Sequence, residues 1–183
     1  MTARIAPAVQ PYEADMEEIL KNLMPEGVEP LLLFRTLARD PRLFRRFMAG
    51  GLLDKGTLSL REREIVIDRT CARCGGEYEW GVHITLFAER VGFGPEEIRA
   101  TTAEGSDSVC WSDDERLLIR TVDQLHDTAT IDDDLWVALV RCYSDEQLLE
   151  VMMLTGFYHM VSFVVNATRL PSEAYAARFS DYR

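Results

Sequence analysis

Positive charge falls well short of negative charge in this sequence: 20 Lys and Arg stand against 31 Asp and Glu, a net charge of -11 over 183 residues. Such a chain repels a phosphate backbone and an anionic bilayer alike, so neither nucleic acid nor a membrane is an expected partner. Cysteine is sparse too. Cys71, Cys74, Cys110 and Cys142 are too few and too scattered to staple a chain of this length. The opening Met1-Thr2-Ala3-Arg4-Ile5-Ala6-Pro7 has no continuous apolar stretch of the secretory-signal kind, and the expected location is the cytosol. No segment alternates as a strand does, and no tight hairpin turn is present. The longest apolar run, 151–165, falls short of the ~20 residues that cross a bilayer, and it contains Thr155, His159 and Ser162. It reads as a core helix buried on nearly every face, with some surface left for a second subunit.

What is present describes one all-α domain. Hydrophobic residues make up 47% of the chain and charged residues 28%, enough apolar surface to offset the entropy of ordering. Helix starts are well marked. Ser59-x-x-Glu62, Ser112-x-x-Glu115 and Ser144-x-x-Gln147 each fit the capping box, and Asp40-Pro41, Gly94-Pro95 and Asp132 add further caps. The expected helices are 12–24, 29–38, 41–50, 60–73, 77–92, 95–101, 113–127, 132–142 and 145–168, with a break at Gly75-Gly76. We divide the chain into an N-terminal segment 1–28, a helical domain 29–170 and a tail 171–183.

The chemistry is concentrated between Glu64 and His83. At ~3.6 residues per turn, Glu64 and Cys71 share a face of one helix, and Glu79 and His83 share a face of the next. A bend at Gly75-Gly76 would turn the two faces toward one pocket. In that arrangement Arg73 would favour a thiolate on the Cys71-x-x-Cys74 pair, His83 would relay its proton, and Glu64 would fix the imidazole. The second cysteine would resolve the product of the first attack. The plainer alternatives are two core cysteines, a solvated Glu64 and a hydrogen-bonded core His83. A structural zinc held by Cys71, Cys74 and His83 is a further alternative that lacks a fourth ligand. His126 fits a favourable helix C-terminal placement, and His159, on the apolar helix, needs a hydrogen-bond partner.

Three features, Glu64-x18-His83, the run Glu77-Tyr78-Glu79-Trp80-Gly81-Val82-His83 and the following Ala88-x3-Gly92-x4-Glu97-Ile98, resemble the carboxymuconolactone decarboxylase/alkylhydroperoxidase D-like family. Asp123-Gln124-Leu125-His126 and Gly156-Phe157-Tyr158-His159-Met160-Val161 are similar to its longer members. The resemblance implies a compact helical bundle and a homo-oligomer with its site near a subunit interface; we assign no metal or other cofactor. Its peroxidase-type branch implies an antioxidant thiol oxidoreductase in which Glu64 and His83 assist Cys71 and Cys74, with a peroxide or disulfide substrate and a thiol electron donor. That branch's pattern places the thiols at positions 76 and 79, five residues later than here. The decarboxylase-type branch implies acid-base chemistry on a small carboxylated lactone, with His83 or Arg73 stabilising enolate-like charge. In both, Arg73, Tyr78, Glu79 and Trp80 are expected to line the substrate pocket. A non-catalytic oligomer on the same scaffold is the third reading.

Overall fold

The computed structural model describes residues 3–12, 14–25, 27–52 and 55–182. Residues 1, 2, 13, 26, 53, 54 and 183 lie outside that description, including parts of the expected N-terminal segment, first helix and tail. The described residues form nine α-helices and no strand: α1 (Ala14–Leu23), α2 (Leu32–Leu37), α3 (Pro41–Gly50), α4 (Leu60–Arg73), α5 (Glu77–Val91), α6 (Pro95–Thr102), α7 (Asp113–Thr128), α8 (Asp133–Leu139) and α9 (Asp145–Thr168). The expected all-α class is the observed one.

The helix starts follow from side-chain chemistry. All three Ser capping boxes form; at α4, the Glu62 amide donates to Ser59 Oγ at 3.2 Å and the Ser59 amide donates to Glu62 Oε2 at 2.8 Å. Asp40 and Asp132 cap α3 and α8 through the amides of Leu43 and Leu135. Two helices, α2 and α8, are each four residues shorter than expected. Helix α2 begins only after Leu31, whose extended backbone follows Pro30, and α8 ends at Leu139 in a tight turn where the amides of Cys142 and Tyr143 both return to its carbonyl.

The Gly75-Gly76 break is real. Gly75 adopts a left-handed φ of 62°, which closes α4 with the Gly76 amide bonded to Cys71 O at 2.7 Å. A Cβ on Gly76 would lie 2.7 Å from Ser162 Oγ, so glycine is what lets α9 approach this turn.

Helix α4 is the axis of the bundle, packing on α5, α7 and α9, and every residue from Glu64 to Cys71 is buried. Arg69, near its middle, fixes the bundle electrostatically. Its guanidinium donates twice to Asp123 on α7, at 2.7 and 2.9 Å, and once to Thr101 O at the end of α6. Helix α9 is the one helix among the described residues long and apolar enough to cross a membrane by length and composition, but half of that stretch is buried inside the fold. Burial all round is therefore not observed. Val151, Leu154, Tyr158, Val161 and Val165 face the core, while Leu149, Met153, Met160 and Phe163 are exposed on the opposite side.

The two ends of the chain close over this core. Met16, Leu20, Ala38 and Phe44 form a second, smaller cluster, joined to the main core through Phe34 and Leu37. At the other end Phe179 and Tyr182 stack on Trp80, with ring centroids 4.9 and 5.9 Å away. The Ala177 amide meanwhile meets Gly81 O and Thr85 Oγ1.

Candidate functional site

Residues 79, 82, 83, 86 and 87 lie on one face of α5, as i, i+3, i+4, i+7 and i+8 must, and that face floors a cavity of about 240 Å³. Phe157 and Tyr158 of α9 close one side, and Phe34, Phe47 and Met48 of α2 and α3 the other, with Leu23 and Met24 at the rim. The walls are almost wholly apolar. Their polar groups are Glu79, His83 and Tyr158. A larger, more open cleft of about 650 Å³ between Gln10 and Pro30 gathers no comparable set of groups.

Behind the cavity floor is a dry cluster of acids around one imidazole. Glu64 and Asp68 come from α4, one turn apart; Glu79 and His83 come from α5, one turn apart; the bend at Gly75-Gly76 makes the two faces meet, as the spacing requires. His83 Nδ1–H donates to Glu64 Oε2 at 2.8 Å, and its Nε2 lies 3.2 Å from Tyr158 Oη and 3.5 Å from Glu79 Oε1. Glu64 is 3% exposed, Glu79 7% and His83 9%. Burial opposes the charged ring, but Glu64 and Glu79 outweigh it and hold the His83 pKa well above 6.5. The ring is thus an imidazolium at neutral pH, with Nε2–H donating to Tyr158. Burial, and then Glu64, pushes the Asp68 carboxyl well up, with His83 opposing the rise. Burial, Glu79, Cys71 and Glu64 likewise keep the Tyr158 phenol protonated. With its oxygen accepting from His83, that hydroxyl hydrogen is free to point into the cavity. Glu79 Oε2 is buried and has no hydrogen-bond partner among the described residues.

The thiols do not join this group. Neither Cys71 nor Cys74 lines the cavity, and among the described residues no hydrogen bond links either to His83. Cys71 is fully buried, and burial together with Glu79 and Asp68 drives its pKa well above the ordinary thiol value, with Ser162 only partly offsetting the rise. Arg73 was expected to favour the thiolate. It does ease the Cys74 proton off, as does Ser162, but burial outweighs both and the Cys74 pKa is raised. The Arg73 guanidinium is also shared between Asp123 and Asp127. The Cys74 sulfur faces His126, 3.8 Å from Nδ1, and all four cysteines are free thiols.

The other expected pocket residues are placed as follows. Glu79 lines the cavity; Tyr78, Trp80 and Arg73 do not. The Tyr78 hydroxyl accepts from the Leu33 amide and donates to Glu173 at 2.6 Å, which ties α5 to α2 and the tail. Trp80 has no exposed surface and donates Nε1–H to Thr101 Oγ1 at 2.9 Å. Both side chains thus bridge elements of the fold outside this cavity. The Cys71–Cys74–His83 zinc trio is not formed either. Among the described residues, the groups with ligand atoms mutually within 4.8 Å are Glu64–Asp68–His83 and Cys74–His126–His159. Sequence reasoning missed Tyr158 and Asp68. The available signals were the position of Asp68 one turn beyond Glu64 and that of Tyr158 on the apolar helix beside His159.

Residues 41–118 match the family model of the Carboxymuconolactone decarboxylase family. No curated protein sequence matches the chain. Among solved structures, a peroxidase-related protein of Silicibacter sp. TM1040 is similar at a TM-score of 0.82 and 16% identity, with 98% of each chain covered. An alkylhydroperoxidase AhpD core protein, peroxidase-related, from Ralstonia eutropha JMP134 is similar at 0.78 and 16%, covering 94% of this chain and 95% of its own. The debrominase Bmp8 in complex with 2,3,4-tribromopyrrole is similar at 0.78 and 16%, covering 96% and 94%. At such identities these likenesses establish the fold, which is that of the alkylhydroperoxidase D-like proteins.

Proposed function

Starting from a chain whose residues 41–118 belong to the carboxymuconolactone decarboxylase family and whose fold is alkylhydroperoxidase D-like, we propose that it is an acid-base enzyme. It moves a proton next to a carbonyl in a small, largely apolar ring compound, as a lyase or isomerase. The observation that carries this is Glu79: a buried carboxylate with one oxygen unpartnered, lining an apolar cavity beside a cationic imidazole. Glu79 also occupies one of the two positions at which the peroxidase-type pattern has a thiol.

Each group has a defined part. Glu79 Oε2 takes the proton from carbon; the electron pair of that C–H bond moves into the carbonyl, giving an enolate. The Tyr158 hydroxyl, held by His83 Nε2–H, donates to the developing oxyanion, and the imidazolium stabilises its charge in a water-poor site. Glu64 fixes the ring through Nδ1. In an isomerisation the proton returns from Glu79 to another carbon; in a decarboxylation no C–H bond breaks first, the electron pair of the bond to the departing carbon dioxide forms the enolate instead, and Glu79 delivers to that carbon a proton taken up from solvent. A cavity of about 240 Å³ suits one substituted ring, since about 150 Å³ already accommodates benzene. His83 is the cation lining the cavity, which favours a substrate with a single carboxylate, and a small carboxylated lactone meets that description.

The test is a panel of cyclic ketones and carboxylated lactones incubated with the protein in deuterated water and followed by NMR. The proposal requires deuterium uptake or turnover with at least one of them, reduced at least 100-fold by Glu79→Gln. Equal rates in the wild type and the variant would overturn it.

The thiol oxidoreductase is the second reading, supported by Cys71 and Cys74 standing as two free thiols three residues apart at the end of α4. It rests on Cys74 and His126 rather than on His83. A reversible Cys71–Cys74 disulfide, formed under peroxide and detected by mass spectrometry, is its test; thiols that stay reduced in the folded protein would exclude it.

A further inference from the structure

Three side chains that the acid-base chemistry leaves unused, one each from α4, α7 and α9, converge at the far end of α4. Cys74 caps α4, His126 lies in the last turn of α7, and His159 lies in the middle of α9. Their ligand atoms meet. His126 Nδ1 is 3.0 Å from His159 Nε2 and 3.8 Å from Cys74 Sγ, and all three atoms lie within 4.8 Å of one another. A tetrahedral zinc ion with bonds of about 2.0–2.1 Å to nitrogen and about 2.3 Å to sulfur sets its ligands about 3.4 Å apart for an N···N pair and about 3.6 Å for N···S. The two measured separations differ from those by only a few tenths of an ångström.

We propose that Cys74, His126 and His159 form a binding site for one borderline-soft divalent cation of the zinc type, with a solvent molecule in the fourth position. The supporting contacts are already in place. His159 Nδ1–H donates to Thr155 O at 2.8 Å, which fixes the tautomer and turns the Nε2 lone pair toward the site. Cys74 is fixed at both ends of its backbone: its amide donates to Thr70 O, and its carbonyl accepts from Asn166 Nδ2 at 2.9 Å. The nearby cation, Arg73, is balanced by Asp123 and Asp127 and does not exclude a second positive charge. All three ligands are only partly buried, so solvent reaches the open position. One thiolate and two imidazoles select zinc-like ions over calcium or magnesium, which prefer oxygen. On binding, the Cys74 S–H bond breaks and its proton goes to solvent, while the His126 hydrogen moves from Nδ1 to Nε2, so one proton is released per cation.

The experiment titrates cobalt(II), a spectroscopic substitute for zinc, into the metal-stripped full-length protein. One equivalent should produce a thiolate-to-cobalt charge-transfer band together with tetrahedral visible bands, and zinc should displace both with release of one proton. Cys74→Ser should remove the charge-transfer band. His126→Gln and His159→Gln should each weaken binding at least tenfold. Cys142→Ser, at an exposed thiol far along the chain, should change nothing; circular dichroism checks that each variant folds. Absence of the band in the wild type, its survival in Cys74→Ser or its loss in Cys142→Ser would overturn the proposal.

Discussion

Replacing Glu64 with Gln keeps the size of the side chain and removes its charge from the centre of the acid cluster. Glu64 is the larger of the two carboxylate influences that keep His83 protonated, and its Oε2 lies 2.8 Å from Nδ1 at a site without bulk water. Removing one partner from a buried charge pair costs about 3–5 kcal/mol, and each unit of lost pKa elevation accounts for about 1.4 kcal/mol of that. The sign follows from linkage. The folded-state pKa of His83 is raised, so its contribution is fully present below the unfolded value near 6.5 and is lost as pH rises through the folded value. The wild type should therefore lose this stabilisation progressively above pH 6.5, whereas Glu64→Gln lacks most of it at pH 6 and changes less over the same interval. Urea unfolding at several pH values and NMR titration of the His83 ring measure both effects. A ring that titrates at or below 6.5 in the wild type, or a variant with an unchanged ring pKa, would refute the reasoning.

Gly76→Ala should destabilise the fold by about 1–3 kcal/mol, because the new methyl group would meet Ser162 Oγ at 2.7 Å and Cys71 O at 3.3 Å; thermal unfolding checks this. Gly81→Ala should lift the C-terminal tail, since its Cβ would fall within van der Waals overlap of Ala177 O, and the exposure of Trp80 would appear as a red shift in tryptophan emission. Arg69→Met should cost about 3 kcal/mol by removing both hydrogen bonds from its guanidinium to Asp123, which keeps only the longer contact with Arg73 at the α4–α7 contact, measured by chemical denaturation. Alkylation of the native protein should modify exposed Cys142 first and leave Cys71 unmodified until denaturant is added, as mass spectrometry of digested peptides would record.

The helices were legible because their starts are determined locally: a Ser or Asp side chain and a Glu or Gln three residues on satisfy one another without tertiary help. The ends of α2 and α8 were less so, being decided by where Leu31 and Leu139 pack and not by a stop residue. In the site, the pairing of Glu64 with His83 followed from helical spacing and one glycine break. The thiols shared a helix with Glu64 but not its outlook. Cys71 is three residues beyond Asp68 and turns into the core, while Cys74 passes the end of α4 and meets α7 and α9. Which of two neighbouring helix faces looks into a cavity depends on elements far away in sequence, here Phe34, Phe47 and Tyr158. Local periodicity carries no information about those. Tyr78 and Trp80 illustrate the same limit, since their partners Glu173, Leu33 and Thr101 are set by the tail and by the neighbouring helices.

Comparison of Glu79→Gln with the Cys71→Ser/Cys74→Ser double variant, using deuterium uptake or turnover of a carbonyl ring compound, separates acid-base from thiol chemistry most directly. If proton transfer runs through the cavity, the double variant keeps wild-type rates and Glu79→Gln falls by about 10²–10⁴. Full activity in Glu79→Gln together with its loss in the double variant would contradict the account.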